Sequence, residues 1–114
     1  MAGQLTTHAI DLVLGHGAGG LKVWVRRITP AEPWLGQVEL DANGRGMLLE
    51  GEKFVAGLYE LNFHVGDYHR GRKLVDGDSF LEEAPVRFRV ADAEAHCHIA
   101  LQISLYGYGA YRGG

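Results

Sequence analysis

The chain has 114 residues, of which 46% are hydrophobic, so its length is typical of one domain and a sizeable core can form. Its 11 basic and 14 acidic residues leave a formal charge of −3, which argues against a general nucleic-acid binder, since that class is usually clearly basic. A single cysteine excludes an intrachain disulfide, and the sequence shows neither a signal peptide nor an apolar run long enough to span a bilayer. We therefore expect one soluble domain over residues 1–114, located in the cytoplasm.

Short predicted strands and turns alternate along the first part of the chain. The first strand carries His8, and a segment with four glycines at residues 15–20 separates it from the second. Pro30 and Pro33 predict a loop, and residues 41–44 predict a tight turn because Asn and Gly tolerate positive φ at low cost. The second strand alternates apolar and polar side chains, namely Leu21, Val23 and Val25 with Lys22, Trp24 and Arg26.

The same alternation continues in the second half of the chain. Residues 59–65 and 86–90 carry apolar side chains at every second position, and Pro85 opens the later strand. Only residues 67–83 lack the pattern, and we expect one short helix there. Half-buried antiparallel strands with frequent turns predict an all-β, two-sheet β-sandwich.

The last long predicted strand is unusual because its polar face carries two histidines. His96 and His98 share a face, since residues two apart on a strand point the same way. Three interpretations stay open. Spacing alone favours a solvent-exposed strand. A metal site would need more ligands than the sequence offers nearby. The third interpretation is acid–base chemistry, which suits an imidazole that titrates near neutral pH.

The C-terminal tail, residues 106–114, carries three tyrosines and one arginine between small residues. Glycines allow a backbone to approach another group closely, and tyrosines suit a site with one apolar and one wet side. The tail is therefore either part of a functional site or an edge strand whose aromatic side chains pack on the sandwich.

Several motifs resemble those of the transthyretin-related 5-hydroxyisourate hydrolases. Tyr-Arg-Gly-Gly at residues 111–114 resembles the Tyr-Arg-Gly-Ser ending of that family, and His-Cys-His-Ile-Ala-Leu at 96–101 resembles its His-Tyr-His-Val-Pro-Leu block. Leu-Thr-Thr-His-Ala-Ile-Asp at 5–11 is similar to its opening block, and Asn-Gly-Arg at 43–45 is similar to its Asp-Gly-Arg turn. The matches run in order over nearly the whole chain.

The resemblance implies a transthyretin-like (prealbumin-like) sandwich with one short helix, assembled as a homotetramer of two dimers with sites in the channel between them. It implies hydrolysis of the small molecule 5-hydroxyisourate, the unstable product of urate oxidation, to 2-oxo-4-hydroxy-4-carboxy-5-ureidoimidazoline in purine degradation. No metal or organic cofactor and no nucleic-acid or membrane partner is expected.

The family's site residues fall on His8, Arg45, His98 and Tyr111. His98, alone or with His8, would activate the attacking water. Arg45 would hold the anionic ring or the developing oxyanion, because a guanidinium does not lose its proton. Tyr111 would hydrogen-bond the substrate and close the pocket.

Some positions depart from the family pattern without removing a proposed catalytic group. Gly114 stands where the family has serine, Gly109 and Ala110 stand where it commonly has Ser-Thr, and Ala100 replaces a proline. The loss of hydroxyls keeps open a diverged member that acts on a different, less polar cyclic substrate. A non-catalytic small-molecule carrier and a purely structural protein also stay open.

Three further histidines match no family motif. We expect them to be surface residues: His16, His64 and His69.

Overall fold

Two β-sheets packed face to face make up the structure, a computed structural model in which residues 3–113 are described. Within those residues the strands are β1 (Gln4–Asp11), β2 (His16–Gly17), β3 (Lys22–Thr29), β4 (Glu32–Glu39), β5 (Arg45–Glu50), β6 (Gly57–Phe63), β7 (Ala84–Val90), β8 (Cys97–Ile103) and β9 (Tyr108–Arg112). One helix, α1 (Val65–Gly71), follows β6, and a single 3-10 turn covers Gly51–Lys53. The predicted all-β sandwich with one short helix is confirmed, and the helix begins at Val65, two residues before the segment in which it was expected.

Strand β1 is the centre of the first sheet. It pairs in parallel with β8 on one side and antiparallel with β2 and β5 on the other, while β9 pairs with β8 and forms the edge. The second sheet has the order β4-β3-β6-β7 and is antiparallel throughout. The parallel β1–β8 pair joins the two ends of the chain.

The core lies between the sheets and is built from the alternating apolar positions that the sequence predicted. Fully buried side chains include Val23 of β3, Phe63 of β6 and Leu101 of β8. Tyr59 is also buried, and its hydroxyl donates to the carbonyl oxygen of Val55 at 2.7 Å, so this polar group does not lose its hydrogen bond on burial.

The predicted loop at the two prolines is wrong in part. Only Pro30 and Ala31 form the turn, and Pro33 lies inside β4. A proline is tolerated there because β4 is an edge strand with an unpaired side. No helix within residues 3–113 is both long enough and apolar enough to cross a membrane.

A buried polar cluster ties α1 to the end of β1. One carboxylate oxygen of Asp11 accepts the backbone N–H groups of Val13 and Leu14 at 2.8 and 3.0 Å, and the other accepts the Tyr68 hydroxyl at 2.7 Å. Burial by itself would raise the pKa of Asp11, but these hydrogen bonds outweigh it and the pKa lies below its usual range. Burial and the Asp11 carboxylate together raise the pKa of Tyr68 to about 12.

The prediction that His69 is a surface residue is wrong. Its side chain is fully buried beside this cluster, and within residues 3–113 neither ring nitrogen has a hydrogen-bond partner. Burial lowers the pKa of His69, and the negative charge of Asp11 opposes that effect. His64 is half-buried against Trp24, with ring centroids 4.6 Å apart, whereas His16 is exposed as expected.

Acidification should destabilise the protein through His69. Because its folded-state pKa lies below the usual 6.5, the unfolded chain binds the extra proton first, and stability present above pH 6.5 is lost as the pH falls. The free energy of unfolding should drop with a slope of up to about 1.4 kcal/mol per pH unit below that value. Urea unfolding at fixed protein concentration and a series of pH values measures it.

The matched control is His69→Leu, which keeps an apolar side chain of similar size and removes the titrating group. The slope should become shallower, although His98 contributes in the same direction because its pKa is also lowered. Equal slopes in the parent and the variant would show that His69 does not cause the acid sensitivity.

Candidate active site

Strand register places the predicted site residues on one face of the first sheet. Arg45 of β5 is paired with His8 of β1, His8 with Ala100 of β8, and Ala100 with Tyr111 of β9. Directly paired residues point to the same face, with β-carbons roughly 4.5–5.5 Å apart. His98 lies two residues before Ala100, so its side chain shares that face. We call this set of five residues the site row.

The turn before β5 sets the position of Arg45. The Asp41 carboxylate accepts the backbone N–H groups of Asn43 at 2.8 Å and Arg45 at 3.0 Å, and these bonds hold the pKa of Asp41 below its usual range. Gly44 adopts φ +77°, and a β-carbon there would overlap the carbonyl oxygen of Ala9. The predicted tight turn is confirmed, and it needs glycine for both reasons.

One hydrogen bond fixes the protonation pattern of His8. Its Nε2 lies 3.0 Å from the carbonyl oxygen of Asn43, and a carbonyl can only accept. The proton of a neutral His8 ring therefore sits on Nε2, which leaves Nδ1 as the free acceptor of the ring.

His98 is half-buried, and Thr6 holds one side of its ring. The Thr6 hydroxyl oxygen lies 2.8 Å from His98 Nδ1 and 2.7 Å from His96 Nε2. Within residues 3–113, His98 Nε2 has no hydrogen-bond partner, so this nitrogen is open to a ligand. Burial lowers the pKa of His98, and the electrostatic interactions of its ring with His96, His8 and Arg45 lower it further. His98 is therefore neutral and able to accept a proton at neutral pH.

The tail forms the edge of the site row. The N–H of Gly113 donates to the carbonyl oxygen of His98 at 2.7 Å, and a β-carbon at position 113 would overlap Cδ2 of the His98 ring. All five residues of β9 are exposed, and Tyr111 retains 59% of its accessible surface. β9 is an edge strand, as one of the two alternatives expected, but its own sandwich leaves most of the Tyr111 side chain uncovered. Gly114 lies outside the described residues.

A shallow pocket of about 340 Å³ opens beside the site row. It is lined by Thr6, Thr7, Asp41, Arg45, Gly46, Met47, His96 and His98. Sequence reasoning missed Thr6, although it lies two residues before His8 and so on the same face of β1. Within residues 3–113 no group of three or more His, Cys, Asp or Glu side chains is arranged to hold a metal ion.

Comparison with known proteins assigns the fold to a family. The model of the HIUase/Transthyretin family matches residues 5–113. This chain belongs to that family. It is 47% identical to 5-hydroxyisourate hydrolase 2 of Rhizobium meliloti over 98% of this chain and 97% of that protein. It is 45% identical to the 5-hydroxyisourate hydrolase of Mesorhizobium japonicum over 97% and 92% of the two chains.

Solved structures share the fold of this chain over nearly its whole length. The 5-hydroxyisourate hydrolase of Klebsiella pneumoniae superposes with a TM-score of 0.83 at 25% identity, over 98% of this chain and 99% of that one. An (S)-allantoin synthase superposes with a TM-score of 0.91 at 30% identity. This chain is 99% covered in that match but spans only 44% of the synthase chain.

Proposed function

We infer that this protein hydrolyses 5-hydroxyisourate in purine degradation. The observation that carries the inference is the site row, in which two histidines, an arginine and a tyrosine from four strands share one face. Full-length relatives named 5-hydroxyisourate hydrolase at 47% and 45% identity support it. Ala100 gives the centre of the row a small apolar side chain between His8 and Tyr111, so this departure removes no polar group.

The reaction opens a flat, polar ring at an acyl carbon. His98 takes a proton from water through its open Nε2, and the hydroxide adds to the ring carbonyl. The carbon–nitrogen bond of the ring then breaks, and the departing nitrogen receives the proton. General-base assistance of this kind contributes about 10²- to 10⁴-fold to the rate.

His98 suits the role of base better than His8. Its pKa is lowered and its Nε2 is open, so at neutral pH it can accept a proton from a water in the pocket. His8 keeps its Nε2 proton on Asn43 and offers Nδ1, which can accept a hydrogen bond from the same water or from a ring N–H. We therefore assign His8 to orientation and His98 to proton transfer.

Arg45 stabilises the oxygen that gains charge when hydroxide adds. Its guanidinium pairs with no carboxylate within residues 3–113, so its donors are free to face a substrate. A fork of N–H donors matches both an anionic ring and a developing oxyanion.

We propose that the site is completed in a homotetramer of two dimers. Tyr111 and Met47 point away from their own core and are 59% and 45% exposed, and both lie on the site face of the first sheet. A second copy packed on this face would cover the shallow pocket and bring its own Tyr111 to the substrate. Light scattering after size exclusion should give four chains, and a stable monomer would contradict the proposal. The cytoplasmic location and the single domain over residues 1–114 stay predictions.

The activity has a direct test. Urate oxidase generates 5-hydroxyisourate from urate, and its ultraviolet absorbance then decays with or without this protein. We expect the protein to accelerate the decay in proportion to its concentration. An unchanged decay would reject the proposal and favour a diverged enzyme for another cyclic substrate, or a carrier.

Gly113→Ala should reduce this activity, because the added methyl group meets the His98 ring and the ring must turn away from its position. Gly109→Ala, in strand β9 just before Gly113, is the matched control, since a β-carbon there meets nothing within 4 Å. The ratio kcat/KM measured for both variants tests the effect. Equal values would show that the tail does not position His98.

A further inference from the structure

One hydroxyl group connects the two histidines of β8. Thr6 lies opposite His98 in the parallel β1–β8 register, and its Oγ1 contacts His98 Nδ1 at 2.8 Å and His96 Nε2 at 2.7 Å. The two imidazoles stand edge to face, with their centroids 6.2 Å apart, and no hydrogen bond joins them directly. Among residues 3–113, Thr6 is therefore the only hydrogen-bonded link between them.

Because the Thr6 hydroxyl carries a single proton, the protonation of one ring nitrogen determines that of the other. A threonine hydroxyl has one proton to donate and can accept others. When Thr6 donates to His96 Nε2, it must accept from His98 Nδ1–H, and His98 Nε2 is then the unprotonated nitrogen. This arrangement is the one in which His98 can act as a base toward the pocket.

The surroundings of the two rings differ, and the difference favours movement of a proton from His98 toward His96. His98 is half-buried, whereas His96 is exposed to solvent. The groups that face His98 are mostly basic: Arg45 of β5, His8 of β1 and His96 of β8, with the Asp41 carboxylate near Arg45 and His8. Burial raises the pKa of the Cys97 thiol, and the positive charge of Arg112 of β9 opposes that effect. Cys97 lies on the opposite face of β8 from His98, so Arg112 is not counted among the groups that face His98. Burial and the neighbouring basic groups therefore disfavour a positive charge on His98, whereas His96 lies open to solvent.

We propose that Thr6 and His96 form a proton relay with His98, in which His96 holds the proton between the two halves of the hydrolysis. This inference rests on the proposed hydrolysis of a cyclic acyl–nitrogen bond. His98 remains the group that contacts water, and Thr6 and His96 act through it.

The relay balances over one turnover and returns to its starting arrangement. When water adds to the carbonyl, its proton binds His98 Nε2, the Nδ1 proton moves to Thr6 Oγ1, and the Thr6 proton moves to His96 Nε2. When the carbon–nitrogen bond breaks, the two transfers within the relay run backward: His96 Nε2 returns a proton to Thr6, and Thr6 returns a proton to His98 Nδ1. His98 Nε2 then gives its proton to the departing nitrogen, which leaves with the bonding electron pair.

Three variants test the relay against a merely structural role. Thr6→Val has nearly the same shape and lacks the hydroxyl, whereas Thr6→Ser keeps it. His96→Gln can still hydrogen-bond Thr6 but cannot take up a proton. We expect Thr6→Val and His96→Gln to lower kcat by about 10- to 100-fold, part of the usual general acid–base contribution, with KM little changed. Thr6→Ser should stay close to the parent.

The decisive measurement is kcat in mixtures of H₂O and D₂O. Several protons in transit give a curved dependence on the deuterium fraction, and one proton gives a straight line. The parent and Thr6→Ser should give curves, and Thr6→Val and His96→Gln should give lines. A curved plot with parental kcat in His96→Gln would overturn the relay. A parent that does not hydrolyse 5-hydroxyisourate would instead reject the proposed function.

Discussion

His98→Asn should lower kcat for 5-hydroxyisourate hydrolysis by about 10²- to 10⁴-fold, because the variant has no group to take the proton from water. Asparagine can still reach Thr6 but cannot titrate, so the site should keep its shape. In the parent, activity should be full at neutral pH and fall only below the usual histidine pKa of 6.5, since the pKa of His98 is lowered. The pH–rate profile of kcat/KM measures both effects.

His16→Asn is the control for this variant. His16 is exposed and pairs with Asp11 at the end of β1, three positions beyond His8, so its loss should leave kcat within about twofold of the parent, as for a surface substitution. Turnover at the parental rate in His98→Asn would remove His98 as the base and leave His8 in that role.

Arg45→Gln should give the second large effect, a loss of about 10²- to 10³-fold in kcat, because one donor to a developing oxyanion is usually worth that much. Arg45→Lys should recover only part of it, since an ammonium restores the charge but not the fork of donors. Steady-state kinetics of the three proteins separates kcat from KM.

Arg89→Gln provides the matched control, because Arg89 is also an exposed strand arginine but lies on β7 of the second sheet. It should retain parental kinetics. A rise in KM with unchanged kcat for Arg45→Gln would mean that Arg45 binds the ring equally in the ground state and the transition state.

The sandwich was predictable because its signals are local. Alternation at Val23, Tyr59 and Phe63 predicted which side chains face the core, and Asn43-Gly44 predicted the turn. Burial of His69 was not predictable from its neighbours, because it depends on packing of α1 against Asp11, 58 positions away in the numbering of the chain. No period-two pattern reports a contact of that kind.

The candidate site was predictable only through resemblance. Residue types alone do not single out His8 or Arg45, and the register that aligns them with Ala100 and Tyr111 is a property of pairing between distant strands. The contact from Thr6 to His96 spans 90 residues, so no local motif reveals it. The sequence indicates only that Thr6 and His8 share a face of β1.

The parallel pairing of β1 with β8 also determines when the site can exist. Residues 5–11 align with residues 97–103, so more than three-quarters of the chain must be present before the pair can close. Closing so long a loop costs entropy that only later contacts return, which makes such pairings slow to form. The active site should therefore form late during synthesis or refolding, after the hairpins of the second sheet. The recovery of enzyme activity would then report the rate of the final folding step.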